Sequence, residues 1–126
     1  MNRAQAKRYK LHGSNARIIR GPSRDEVLGR LQTLPRGDGV LILEDLDHPH
    51  RYVQVLLQGD GFLRLEVRDD DPVRHLMTRS LSVERVADAF DGWMTEVHEP
   101  SRTGWRDAFR WHDISNELLG PGSSEH

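Results

Sequence analysis

The sequence predicts an α+β domain in which two helices pack on an antiparallel sheet of four or more strands. Three observations predict it. On either side of Gly59-Asp60-Gly61, the stretches Tyr52 to Gln58 and Phe62 to Arg68 alternate with period two, as half-buried strands joined by a tight hairpin do. Between residues 83 and 97, Val83, Val86, Ala87, Phe90, Trp93, Met94 and Val97 recur at the spacing of an amphipathic helix. Ser23 and Glu26 form a capping box at the head of a shorter helix whose Val27, Leu28, Leu31 and Leu34 share one stripe.

In chain order, residues 1–14 lack an apolar period and read as a basic, flexible leader to a single domain over 15–119. Ala16 to Arg20, centred on Ile18 and Ile19, reads as a first strand stopped by Gly21-Pro22. The first helix ends at Pro35 and Gly37. Gly39 to Glu44 is apolar at consecutive positions, which predicts a central strand covered on both faces. In the hairpin, Val53, Val55, Leu57, Leu63, Leu65 and Val67 point inward, and Tyr52, Gln54, Arg64, Glu66 and Arg68 outward. Asp69 to Pro72 is a turn before a further strand over His75 to Ser80, and Ser82 caps the second helix. Gly92 inside that helix marks a loose last turn or a close approach of another segment. Trp105 to Ile114 reads as a turn followed by a short strand, and 120–126 as a flexible tail.

The 126 residues suffice for one hydrophobic core. The longest aliphatic run, Val40 to Leu43, is far too short to span a bilayer, and no apolar stretch follows the basic N-terminus as in a secretory signal. The absence of cysteine excludes disulfides, thiolate metal sites and cysteine nucleophiles, and together these features predict a cytoplasmic protein. The net charge of −2 hides an asymmetry: Arg3, Lys7, Arg8, Lys10, Arg17 and Arg20 stand in the first 20 residues without an acid, and the remaining chain is acidic. That body weighs against a nucleic-acid function, because it would repel a phosphate backbone, and a nucleic-acid-binding protein that uses the basic N-terminal arm stands as the alternative to a protein binder.

Chemistry-bearing motifs are sparse. Asp45, Asp47, His48 and His50 crowd one loop, but Pro49 separates the histidines and no second cluster has a matching spacing, so no metal or other cofactor is assigned. No Gly-x-Ser-x-Gly elbow and no phosphate-cradling glycine loop occurs. Glu66 between Arg64 and Arg68 reads as same-face ion pairing. Two features point to a protein partner. Glu84, Asp88, Asp91 and Thr95 share one face of the second helix as an acidic stripe with no cation in it. Trp105 and Trp111 cannot both be placed inward by one period, which makes them candidate apolar anchors.

The segments Arg51-Tyr52-Val53-Gln54-Val55, Gly61-Phe62-Leu63-Arg64-Leu65-Glu66-Val67-Arg68, Val86-Ala87-Asp88-Ala89-Phe90-Asp91-Gly92-Trp93 and Gly104-Trp105-Arg106-Asp107-Ala108-Phe109-Arg110-Trp111 resemble small α+β immunity proteins of bacterial polymorphic toxin systems. The resemblance spans residues 39 to 114 and implies a tryptophan near the C-terminus, in the place of Trp111, and stoichiometric blocking of a toxin, commonly a nuclease or deaminase. The same pattern is similar to the TY-Chap group, which implies chaperone-like binding of a secreted partner. Both imply a non-catalytic binder of a protein. The acidic stripe and the tryptophans read above make Glu84, Asp88, Asp91, Trp105 and Trp111 the expected contact residues, and a homodimer is left open.

Overall fold

A computed structural model describes residues 8–14, 16–70, 73–96 and 104–115. Among the described residues seven strands form one antiparallel sheet: β1 Tyr9–Gly13, β2 Ala16–Arg20, β3 Gly39–Asp45, β4 Tyr52–Leu57, β5 Leu63–Asp70, β6 Val73–Ser80 and β7 His112–Asp113, in the spatial order β2-β1-β3-β4-β5-β6-β7. Helix α1 spans Arg24–Gln32 and α2 spans Val83–Glu96; a 3-10 turn covers Gly104–Ala108. The α+β class is as the periodicities predict. The expected leader 1–7, the turn Asp71-Pro72, the helical position Val97 and the tail 120–126 lie outside the described residues.

Residues 9–13 correct the expectation of a flexible leader. β1 is an interior strand between β2 and β3, and Tyr9 and Leu11 are fully buried. Only two side chains of this short strand enter the core, too few to register as a period, yet the Tyr9 hydroxyl donates to the carbonyl of Met94 at 3.0 Å and the ring meets Trp93 edge-on at 5.7 Å. At the β1–β2 corner Gly13 takes φ +137°, and a Cβ there would fall 2.2 Å from the Val40 carbonyl oxygen, so only glycine fits.

α1 begins as its sequence dictates: the Ser23 hydroxyl accepts from the Glu26 N–H, and the Glu26 carboxylate accepts from the Ser23 N–H. α2 starts where the Ser82 hydroxyl accepts from the Arg85 N–H at 3.1 Å. Val27 and Leu31 of α1 join Val86, Ala87, Phe90, Trp93 and Met94 of α2 over Leu11, Leu41, Leu43, Val53, Val55, Leu65 and Val67 in one core.

The cross-strand register places these strand residues on one face: Leu11 pairs Leu43, Leu41 pairs Val55, Val53 pairs Val67 and Val55 pairs Leu65. β3 is central as expected, but its burial alternates: Leu41 and Leu43 are buried, whereas Val40, Ile42 and Glu44 are half-buried. The expected double cover of β3 is therefore corrected. Both helices serve the Leu41 face, and the opposite face is left uncovered by them.

Candidate partner-binding face

The acidic stripe of α2 is exposed at Glu84, Asp88 and Asp91, but it is not free of cations. Arg24 of α1 donates from Nε to Asp88 Oδ1 at 2.6 Å and from Nη2 to the Glu84 carbonyl at 3.4 Å. The expected cation-free face is corrected because α1 and α2 pack side by side, a neighbourhood that helical spacing within α2 does not reveal.

Trp105 and Trp111 are both half-buried and meet edge to face, with ring centroids 6.0 Å apart. Phe109 packs on Trp111 at 5.5 Å, and Trp111 Nε1 donates to the Arg106 carbonyl at 2.9 Å. The aromatic group lies against the core, with Trp105 over Gly92. These tryptophans thus spend much of their surface closing the domain.

The Asp45 to His50 loop is organised around arginines. The Asp45 side chain is fully buried; it accepts from Arg8 Nε at 3.0 Å, Arg8 Nη2 at 2.6 Å, Arg51 Nη1 at 3.0 Å and the Asp47 N–H at 3.0 Å. Burial by itself raises this carboxyl's pKa, but the hydrogen bonds from Arg8 and the Asp47 N–H, with the charges of Arg8 and Arg51, outweigh it and hold the group below its ordinary value. Among the described residues no group of three or more His, Cys, Asp or Glu side chains could hold a metal ion. Arg51 continues the chain of contacts, stacking 4.0 Å over the Trp93 ring and donating to the Trp93 carbonyl at 2.9 Å. Arg106 then ties Glu96 at the end of α2 to Asp69 of β5, at 2.7 and 3.1 Å. This is a structural clamp that joins strands, helix end and C-terminal segment.

The uncovered sheet face holds the remaining organised polar group. The register sets Tyr52, Arg68 and His75 in one cross-strand row, Gln54, Glu66 and Met77 in the next, and Leu56, Arg64 and Arg79 in a third. Glu66 is buried at the middle: Oε1 accepts from Gln54 Nε2 at 3.2 Å and lies 2.8 Å from His75 Nε2, while Oε2 accepts from Arg64 Nε at 2.9 Å. The Tyr52 ring stands edge-on to His75 at 6.1 Å. His75 is held from its backbone too, its N–H donating to Ser115 Oγ at 3.0 Å and its carbonyl accepting from the Ile114 N–H at 2.8 Å.

Beside this network a cavity of about 520 Å³ is lined by Val40, Leu56 and Leu57, by Arg64 and Glu66, and by the Gly37-Asp38-Gly39 turn. Two buried nitrogens in the first row, Arg68 Nε and His75 Nδ1, have no hydrogen-bond partner among the described residues. Across the whole face, Lys10, Arg20, Arg64, Arg68 and Arg79 outnumber Glu44 and Glu66, and Val40, Ile42, Leu56 and Met77 supply half-buried apolar surface between them.

No family model, curated protein or solved structure matches the chain. No helix among the described residues is long and apolar enough to cross a membrane.

Alternation in the sequence already turns Tyr52, Gln54, Arg64 and Glu66 outward together. It misses His75, which joins Glu66 through a register that only the folded β5–β6 pair defines. The α2 stripe and the tryptophan pair, by contrast, are built from different elements and make no contact with the Glu66 network among the bonds and ring contacts described above.

Proposed function

We propose that the protein is a non-catalytic binding domain that meets a protein partner on the uncovered face of its sheet, and that its role is that of an immunity protein neutralising a toxin by direct binding. The observation that carries this reading is the one-sided packing of both helices. It leaves a sheet face on which apolar residues alternate with side chains already held in place by Glu66. Preorganised side chains lose little entropy on binding, so such a face suits recognition. Glu66 spends both carboxylate oxygens on Gln54, His75 and Arg64, which supports a positioning role over that of a free general base. The immunity role itself rests on the resemblance over residues 39 to 114; chaperone-like binding of a secreted partner uses the same face.

A second reading has one observation in its favour: the cationic excess of the face would also attract the phosphates of a nucleic acid. Tyr52 stands in the row of Arg68 and is turned edge-on to His75, and the Phe62 ring is covered by the Arg79 guanidinium at 4.4 Å, which leaves little for bases to stack on.

The deciding experiment is binding of the product of the adjacent gene, measured by calorimetry, to the natural chain, to a Tyr52→Ala/Leu56→Ala variant and to a Glu84→Lys/Asp91→Lys variant. Loss of affinity in the first variant only supports the sheet face. Loss in the second only moves the interface to α2, and retention of full affinity in both removes the reading.

A further inference from the structure

We propose that the β4–β6 part of the uncovered face is a carboxylate-recognition site: it takes an acidic side chain of an extended peptide segment on Arg64 and Arg68, and the aliphatic side chain two residues along, which an extended backbone turns to the same face, in the adjoining cavity. The inference rests on the partner-binding reading above and specifies the partner's chemistry.

Arg64 commits only its Nε to Glu66, at 2.9 Å; its Nη groups have no partner among the described residues. Glu66 is itself fixed by Gln54 and His75, so the guanidinium is aimed by a second contact while its outer donors stay available. Fork-shaped donors of this kind match a carboxylate in a bidentate pair. Arg68 stands two rows along, beyond Glu66; among the described residues its buried Nε has no partner, and the Nδ1 of His75, next across the ladder, is equally unpaired. A buried donor without an acceptor costs about 1–3 kcal/mol, a penalty that an incoming acceptor removes. The charges on this patch agree: Arg79 is paired with Asp60 and Arg64 with Glu66, so Arg68 carries the surplus charge while Arg64 adds its two uncommitted Nη groups.

The cavity decides between an acidic peptide and a polyphosphate chain. Its wall of Val40, Leu56 and Leu57 favours an aliphatic group. Asp38 on the same rim repels a second anion, which places the acid at the Arg64 end and the apolar side chain over Leu56. An extended peptide with an acidic and an aliphatic residue two positions apart supplies both groups on one face; a nucleic acid brings anions to both ends.

The test is an NMR titration of the full chain, following the arginine Nε and histidine ring nitrogens. Three probes are used: an acetylated and amidated hexapeptide with glutamate and leucine taking turns at every second position and serine between them, its glutamine counterpart, and the single-stranded oligonucleotide dT12. The glutamate peptide is expected to shift the Arg64, Arg68 and His75 nitrogens, and the glutamine peptide to bind at least tenfold more weakly. Arg64→Gln and Arg68→Gln, each confirmed as folded by its amide spectrum, should weaken the glutamate peptide at least tenfold, whereas Arg20→Gln on the same face should change it less than twofold.

Equal binding of the two peptides, shifts produced by dT12 but not by the glutamate peptide, or unchanged affinity in both arginine variants overturns the proposal. If the proposal fails in this way while Tyr52→Ala/Leu56→Ala still abolishes binding of the partner protein, partner binding at this face stands and only the carboxylate chemistry falls.

Discussion

Gly92 lies directly beneath the indole of Trp105: a Cβ at position 92 would stand 2.3 Å from Trp105 Cδ1 and 2.6 Å from Cγ. The glycine in the middle of α2 is thus the seat of the C-terminal aromatic group, and the close approach is the alternative realised from the two that the sequence offers. Alanine is the better helix former by about 1 kcal/mol, but overfilling a packed contact costs about 1–3 kcal/mol. Gly92→Ala is therefore expected to lower the melting temperature, and to stop doing so in a Trp105→Ala background. A melting temperature raised by Gly92→Ala alone would show that Trp105 moves aside freely.

Adjacent residues of β5 should respond oppositely to substitution. Leu65 is fully buried beneath the helices, and Arg64 projects from the other face. Leu65→Asp buries an unpaired charge and is expected to abolish the cooperative thermal transition. Arg64→Gln removes one partly exposed ion pair, worth about 1 kcal/mol or less. Comparable losses in both variants, read by circular dichroism, would contradict the register.

Asp45 should make the fold sensitive to acid. Its pKa is held below the unfolded value, so the stabilisation is fully present above the ordinary carboxylate range and is lost as pH falls through the folded value. Asp45→Asn removes that dependence, and at neutral pH it leaves Arg8 and Arg51 facing a neutral group, a loss on the order of 3 kcal/mol. Urea denaturation of both proteins at several pH values checks this: the stability difference between them should shrink in acid.

β1 is expected to be indispensable. Leu11 is fully buried and lies between Ile19 and Leu43, so Leu11→Ala should destabilise the domain by about 2–5 kcal/mol. A chain cut after Gly13 would separate β2 from the rest of the sheet and is expected to lose its cooperative transition. An unchanged melting temperature in that truncation would return residues 9–13 to the role of a leader.

What was legible in the sequence follows the length of each periodic signal. The hairpin around Gly61 and the stripe of α2 repeat their pattern enough times to fix both element and face, and the Ser23–Glu26 box marks a boundary by local chemistry alone. β1 contributes one alternation, Tyr9 and Leu11, flanked by cations that resemble a solvated arm until Asp45, 37 residues away in sequence from Arg8, is brought beside them. The Glu66 site was half legible. Alternation groups Gln54, Arg64 and Glu66, whereas His75 depends on strand register and Arg24 on helix neighbourhood, both properties of pairs of elements.

An open sheet ends in two edges, each a template on which a foreign strand could grow, and this chain blunts both. β2 is only five residues long and ends in Arg20, and Arg30 of α1 occupies the Arg17 carbonyl at 2.6 Å. At the other edge β7 shields Leu76 and Met77 of β6, while Ile114 and Ser115 take the backbone groups of His75. Copies of the protein at high concentration are thereby discouraged from zipping edge to edge into fibrils, and recognition is directed to side chains on the broad face instead of to exposed backbone.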